Sequence, residues 1–182
     1  MDLAFSHERV RGLGTCATFD LLNATEQESL ALAIFLTDQR FKVRVPDYSA
    51  SAIHRSSVIE IVIKRRIFAC PGLEGARTNP KKQTLGKLPY LKRTDDTTGN
   101  WTRINAYVAA HGNNRPNPNA PERVISFDDL IDHTLNRITQ LRNTAAHSEP
   151  LPRRLYDELH DIVFQGGRLG FGALNVFVLA WT

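Results

Sequence analysis

The sequence predicts an all-α protein, an up-and-down bundle of about five to six helices in a single domain over residues 1–182. Apolar residues recur at helical spacing through most of the chain, and no convincing alternating strand pattern or internal repeat is found. Prolines and glycines collect in short stretches between these segments. A length of 182 residues with 42% hydrophobic residues suits one globular core.

The first two helices are predicted at about residues 26–40 and within residues 48–68. Thr25 and Glu28 have the spacing of a capping box. In the second stretch the β-branched run VIEIVI suits a strand, but its length and flanking pattern favour a helix. Glu60, within that run, is either a buried acid with partners or a surface residue, which is the more common case. The helical spacing rests on Ile53, Ile59, Val62, Ile63 and Ile67.

The middle of the chain is predicted to contain two shorter helices and a long loop. TLGKLPYLKR indicates a short helix capped by Thr84. WTRINAYVAAHG indicates a helix with Trp101, Ile104, Tyr107 and Val108 on one side. NNRPNPNAPE, rich in proline and asparagine, is expected to be a mobile loop.

The longest helix is predicted in SFDDLIDHTLNRITQLRNTAAH. Ser126 and Asp129 cap it, and acidic residues occupy its first turn, where they complement the helix dipole. A further helix, RRLYDELHDIVF, follows Pro152, and GGRLGFG then leads into a last apolar segment, ALNVFVLAW. The apolar face of the longest helix consists of Phe127, Leu130, Ile131, Leu135, Ile138 and Leu141.

Composition limits the functional classes without choosing one. The net charge of +4 permits a polyanionic partner but does not require one. Cys16 and Cys70 are far apart, so they form neither a disulfide framework nor a zinc cluster, and reduced cysteines in a cytoplasmic protein are expected. No signal peptide is evident, and the longest apolar run, residues 176–181, is too short to span a membrane.

The stretch RNTAAH, residues 142–147, ends the longest helix and carries reactive side chains. Asn143 and His147 are four residues apart and share a helix face, whereas Arg142 lies about 140° around the helix from His147. Arginine binds phosphate oxygens and histidine transfers protons near neutral pH. Together they suit metal-free attack of a ribose 2′-hydroxyl on the adjacent phosphate.

An ordinary helix end is the alternative explanation of these residues. Helix C-termini favour arginine and histidine because cations complement the dipole, and asparagine is common there. A second pair, Arg154 and His160, has similar spacing on an amphipathic segment and is expected to be on the surface. The asparagine, the small spacers and the place at the end of a long capped helix distinguish residues 142–147.

The chain resembles the HEPN domains, a superfamily of small helical bundles with the signature RNxxxH. RNTAAH fits that signature, and the order of SAIHRSSVIEIVIKRRIF, TLGKL and LRNTAAH is also similar. The resemblance covers about residues 26–165, and residues 1–22 and 166–182 are unmatched. It implies a homodimer in which the motifs of both protomers face each other, with Arg142 and His147 as the catalytic pair and Asn143 in support.

The resemblance further implies a metal-independent endoribonuclease, a toxin or effector of prokaryotic defence, that uses Arg142 and His147 of both protomers. The alternative is a non-catalytic HEPN module for dimerisation or nucleic-acid binding within a larger defence complex. Either function allows a separate antitoxin or defence-complex partner, and neither requires a membrane or a cofactor.

Six basic residues form the expected RNA-binding segment, because lysine and arginine neutralise backbone phosphates. The six basic residues are Arg77, Lys81, Lys82, Lys87, Lys92 and Arg93.

No metal site is expected, since His54, His111 and His133 each lack a second ligand at metal-binding spacing.

Overall fold

Most of the chain that the structure describes is helical, as the sequence predicts. The structure is a computed structural model, and the residues it describes are 20, 22–43, 47–73, 84–94, 97–111, 116–117, 120–124, 127–147, 150–165 and 172–174.

The structure describes six helices. In order they are α1 (Ala24–Val43), α2 (Ser49–Arg66), α3 (Lys87–Thr94), α4 (Asn100–His111), α5 (Phe127–Asp129, a π-helical segment Leu130–Leu135, and Asn136–His147) and α6 (Arg153–His160, continued by a π-helical segment Asp161–Gln165).

Helix α2 lies at the centre of the described core. It packs against α1, against the last segment of α5 and against α6. The run VIEIVI is helical, so the preference for a helix over a strand is confirmed. Burial on several sides explains the β-branched composition, because these side chains fill a core in either backbone conformation. The core includes Leu30 and Ile34 of α1, Ile59, Val62 and Ile63 of α2, Ile131, Ile138 and Leu141 of α5, and Leu159 of α6.

Helix α1 begins two residues earlier than predicted, and a different pair of residues caps it. The backbone N–H of Glu26 donates to Asn23 Oδ1 (2.9 Å), and the N–H of Asn23 donates to Glu26 Oε2 (2.8 Å). This is a capping box with asparagine as the N-cap. The predicted pair, Thr25 and Glu28, is exposed in the first turns. Glu26 is fully buried and also pairs with Arg65 of α2 (3.1 Å), which explains why the box forms here.

A turn before α3 is fastened to α2 by Glu60. This carboxylate accepts the backbone N–H of Leu85 (3.0 Å) and the ammonium of Lys64 (2.7 Å). Glu60 is half-buried with two partners, so the interpretation of a satisfied acid describes it better than that of a surface residue. Helix α3 starts at Lys87, whose N–H donates to the main-chain oxygen of Thr84 (2.9 Å).

The asparagine–proline stretch contains a short antiparallel hairpin that the sequence analysis did not predict. Strand β1 (Pro116–Asn117) pairs with β2 (Ala120–Val124), and the register is irregular within β1. Proline removes one backbone donor, but it is tolerated at the start of an edge strand. The hairpin adds two short strands to a described fold that is otherwise helical.

A buried cation links α2 to α6. Arg55 is only 2% exposed, and its guanidinium lies over the rings of Tyr156 (4.8 Å to the centroid) and Phe164 (5.0 Å). It donates a hydrogen bond to His160 Nδ1. Because a guanidinium can only donate, Nδ1 must accept, so this hydrogen bond requires an imidazole without a proton on Nδ1.

Tyr156 extends the same cluster to α1 and to the start of α2. Its hydroxyl shares a short hydrogen bond of 2.5 Å with Thr37 Oγ1, and its ring stacks on Tyr48 at 5.1 Å. Aromatic pairs of this kind stabilise a fold by about 0.5–1.5 kcal/mol beyond the area they bury. Helices α1, α2 and α6 therefore meet around Arg55.

We expect His160 to make the fold sensitive to acid. Burial, reinforced by the charge of Arg55 and opposed by Asp157, lowers the pKa of His160 to about 4. In the unfolded chain His160 takes up a proton near pH 6.5, whereas the folded protein resists this protonation. The stability that neutral His160 contributes is therefore fully present above pH 6.5 and is lost as the pH falls towards 4. The loss should be on the order of 2 kcal/mol, allowing for the partly exposed ring.

Urea unfolding at pH 7 and pH 5 measures this loss. His160→Gln should have a smaller difference between the two pH values than the wild type. His133→Gln, which removes an exposed histidine, controls for the change in composition and should keep the wild-type difference. An unchanged difference in His160→Gln would contradict the assignment of the acid sensitivity to this ring.

Candidate active site at the end of helix α5

The last segment of α5 has one face in the core and one in solvent. Ile138, Leu141 and Ala145 recur at helical spacing and are buried. Asn143 and His147 are both exposed, so they share the outer face, as their spacing predicts. The amide and the imidazole therefore stand on a surface that a ligand or a second protomer can reach.

Arg142 lies at the border between the two faces and is half-buried. Its aliphatic stem can lie along apolar surface while the guanidinium reaches outward. In the part of the chain that the structure describes, no hydrogen bond or ion pair engages the side chain of Arg142, Asn143 or His147. The hydroxyl of Thr144 donates to the main-chain oxygen of Gln140 (3.0 Å) and so binds within its own helix.

The chain just beyond the motif is anchored to the start of α2. The N–H of Leu151 donates to Asp47 Oδ1 (3.2 Å) and to Ser49 Oγ (3.1 Å), and the N–H of Tyr48 donates to the Leu151 oxygen (3.0 Å). Asp47 Oδ1 also accepts the first helical N–H of α2, from Ser49 (2.9 Å). These bonds fix the end of α5 relative to the central helix.

The π-helical segment of α5 widens the helix by one residue ahead of the motif. Its i→i+5 hydrogen bonds absorb an extra residue locally, and Leu130, Ile131, Thr134 and Leu135 are buried there. The apolar face that the sequence predicts continues beyond this segment, because Ile138, Leu141 and Ala145 are also buried. The widened turn itself is not indicated by the apolar pattern.

The expected RNA-binding segment is only partly described. Arg77, Lys81 and Lys82 lie outside the described residues. The ammonium of Lys92 is engaged by Asp132 (2.8 Å) and Asp128 (3.0 Å) of α5. Burial opposes this charge, but the hydrogen bonds to both carboxylates outweigh it, and the pKa of Lys92 is raised.

Lys92 thus holds α3 against α5 rather than presenting its charge outward. Lys87 and Arg93 remain on the outer side of α3, where Lys87 is half-buried and Arg93 is exposed. Of the described members of the basic segment, these two have the better access to a polyanion.

The second arginine–histidine pair differs from the surface pair that the sequence predicts. Arg154 is exposed, as expected, but His160 is half-buried against Arg55 and against the ring of Phe164 (5.1 Å between centroids). The expectation failed because α6 uses this histidine to cover a cation on another helix, a contact that spacing within α6 cannot reveal. The two residues therefore do not form a second motif.

The described residues contain no group of three or more histidine, cysteine, aspartate or glutamate side chains placed to hold a metal. Over the same residues, no helix is both long and apolar enough to cross a membrane.

Cys70 is buried as a free thiol, and burial raises the pKa of this thiol. Cys16 lies outside the described residues.

Comparison of the chain with protein-family models, with curated proteins and with solved structures finds no match in any of the three. The likeness to HEPN domains therefore rests on RNTAAH and on the order of the helices around it.

The sequence pattern did not single out two residues near the site. Asp47 follows a proline and precedes a helix, which is a common place for a side chain that accepts a backbone N–H. Tyr90 is an aromatic residue within the basic segment KLPYLKR, a combination typical of nucleic-acid surfaces. Both signals were present, but neither says what the side chain contacts.

We expect loss of Asp47 to loosen the chain behind the motif. Asp47→Ala should lower the free energy of unfolding by about 1 kcal/mol, because two backbone donors lose an acceptor. Amide hydrogen exchange at Leu151 should accelerate. Asp157→Ala, which removes an exposed carboxylate paired with Arg153 on α6, is the matched control and should leave Leu151 exchange unchanged. Unchanged exchange in Asp47→Ala would contradict the anchor.

Proposed function

We propose that this protein is a metal-independent endoribonuclease of the HEPN type, a toxin or effector of prokaryotic defence. The observation that carries the proposal is RNTAAH at the end of α5, with Asn143 and His147 on an exposed face and Arg142 at its border. A helix end with ordinary surface residues would also be polar. The proposal is favoured because none of the three side chains is used by the described fold.

The proposed reaction breaks one phosphodiester bond without a metal. His147 removes the proton from a ribose 2′-hydroxyl, and the 2′-oxygen forms a bond to the neighbouring phosphorus. The bond from phosphorus to the 5′-oxygen breaks, and an acid protonates the leaving oxygen. Arg142 stabilises the charge on the transition state. The products carry a 2′,3′-cyclic phosphate and a 5′-hydroxyl.

A single copy of the motif offers one base and one cation, and the reaction also needs an acid. A symmetric homodimer with facing motifs would supply a second histidine and a second arginine. The exposed outer face of residues 143–147 includes Ala146, whose small side chain permits the close approach of another surface. RNA is the proposed substrate, and the outer cations of α3, Lys87 and Arg93, are proposed to contact its phosphates.

We expect the purified protein to cleave single-stranded RNA in the presence of EDTA and to leave 2′,3′-cyclic phosphate ends. His147→Ala should lower the cleavage rate by roughly two to four orders of magnitude, because proton transfer is lost. Arg142→Ala should do at least as much damage, and Arg142→Lys should restore little, since an ammonium cannot reproduce the bidentate fork. Cleavage that EDTA abolishes and magnesium restores would contradict the mechanism.

Two matched variants control for nonspecific effects. Arg154→Ala removes an exposed arginine, and His133→Ala removes an exposed histidine from α5 itself. Both should cleave at nearly the wild-type rate. If every variant binds and folds normally but neither the wild type nor the variants cleave RNA, the alternative of a non-catalytic dimerisation or nucleic-acid-binding module is supported instead.

We also expect a symmetric homodimer at micromolar concentration, measured by sedimentation velocity. Ala146→Tyr should disrupt it, because a bulky ring would occupy the face that the second motif approaches. Ala110→Tyr adds the same ring to an exposed position on α4 and should leave the dimer intact. A wild type that is monomeric and fully active would overturn the two-protomer site.

A further inference from the structure

Tyr90 stands out on the surface of α3. Among the described residues it is the large hydrophobic side chain that is exposed, at 37%. The ammonium of Lys87, one turn earlier, lies 5.1 Å from the centre of its ring. Contact of an aromatic ring with water is unfavourable, so covering more of this ring on binding would favour the complex.

The outer side of α3 forms a stripe of mixed character. Leu88, Pro89 and Leu91 are buried, which fixes the inner side of the helix. Lys87, Tyr90 and Arg93 follow one another at intervals of three residues and therefore lie along the outer side. We call these three residues the α3 stripe. It presents one aromatic ring between two cations.

The ion pairs of Lys92 keep this stripe pointed outward. Lys92 lies beside the stripe and is held by Asp128 and Asp132 of α5. Because the adjacent residue is tied down, α3 cannot readily roll about its axis. The orientation of Tyr90 is thus built into the packing of α3 on α5.

Helix α3 lies alongside α5, with its first turn nearer to the candidate active site. A Cβ atom at Gly86 would come within 3.1 Å of Thr139 Cγ2, so the turn before α3 touches α5 one turn ahead of Arg142. At its other end, α3 contacts Asp132 through Lys92. Helix α3 therefore runs antiparallel to α5, and Tyr90 lies on the order of 10–15 Å along α5 from Arg142.

We infer that the α3 stripe is a subsite for single-stranded RNA, in which a base stacks on Tyr90 and Lys87 and Arg93 contact the flanking phosphates. Bases of every kind stack on aromatic rings, and a strand without a complement leaves its base faces accessible. The charge of the stripe suits a polyanion, and α3 lies beside the helix that carries Arg142. This inference rests on the proposed function, because it assigns a further binding position for the same substrate.

The test measures binding and cleavage separately. Binding of a fluorescently labelled 12-nucleotide oligouridylate is followed by anisotropy at several salt concentrations, with His147→Ala protein so that the strand stays intact. Tyr90→Ala in this background should weaken binding about ten-fold or more, with an unchanged salt dependence. Tyr90→Phe keeps the ring and should bind within about two-fold of its parent.

The cations should behave differently from the ring. Lys87→Gln and Arg93→Gln should each weaken binding and reduce the slope of log affinity against log salt by about 0.7, the value for one phosphate of a single strand. Arg154→Gln, which removes an exposed arginine of α6, should change neither quantity. The same 12-mer annealed to its complement should bind with no dependence on Tyr90, because its bases are already stacked.

The outcomes separate the two proposals. Cleavage that depends on Arg142 and His147, together with wild-type binding by Tyr90→Ala, would overturn the subsite and leave the ribonuclease standing. Binding that depends on Tyr90 without any cleavage would uphold the subsite and sink the ribonuclease. If Tyr90→Ala changes the sedimentation of RNA-free protein but not RNA binding, the stripe is a contact between protein chains and the inference is wrong.

Discussion

The polar side chains of the central helix α2 constrain the rest of the described structure. A polar group that is buried without a partner costs about 1–3 kcal/mol, so the partners that α2 finds across the core matter to the fold. These partners come from different elements: Arg55 binds His160 of α6, and Glu60 binds the N–H of Leu85 before α3. The residues that begin α2 bind Leu151 beyond the motif. The polar contacts of one central helix thus help to position three neighbouring elements.

The same dependence explains why the candidate site can be exposed and yet well placed. In the described structure the side chains of Asn143 and His147 make no hydrogen bonds or ion pairs, so their position comes from the helix that carries them. That helix is fixed by its buried face, by the ion pairs of Lys92 near its start and by the Leu151 anchor beyond its end. A site built on a rigid element keeps its geometry without using its own reactive groups.

The sequence predicts the helices well because their evidence is local. The apolar spacing of α2 and α5 and the breaks at Pro46 and Pro152 suffice to place them to within a few residues. The placement of Asn143 and His147 on one exposed face also follows from spacing alone.

What could not be predicted depends on contacts between distant residues. The burial of His160 against Arg55 spans 105 residues, and the cap of α1 at Asn23 is favoured because Glu26 meets Arg65. The pairing of β1 with β2 is made by main-chain groups, and the side chains of these strands show no alternating apolar pattern. The sequence pattern therefore does not predict it.

The π-helical segment Leu130–Leu135 gives α5 one place where its residue count can change. A π-helical turn holds one residue more than an α-helical turn, so deleting one residue there would restore ordinary α-helical bonding and leave the following turns on nearly the same faces. Deleting one residue from the start of the α-helical segment Asn136–His147 would instead turn everything beyond it by about 100° relative to the core. Asn143 and His147 would then rotate away from their present face, while Leu141 and Ala145 would leave the interior. Natural variants of this protein should therefore lose a residue from the π-helical turn far more readily than from the segment that follows it. A one-residue gap in this turn of a related sequence would indicate a domain that has kept both its helices and the face of its motif.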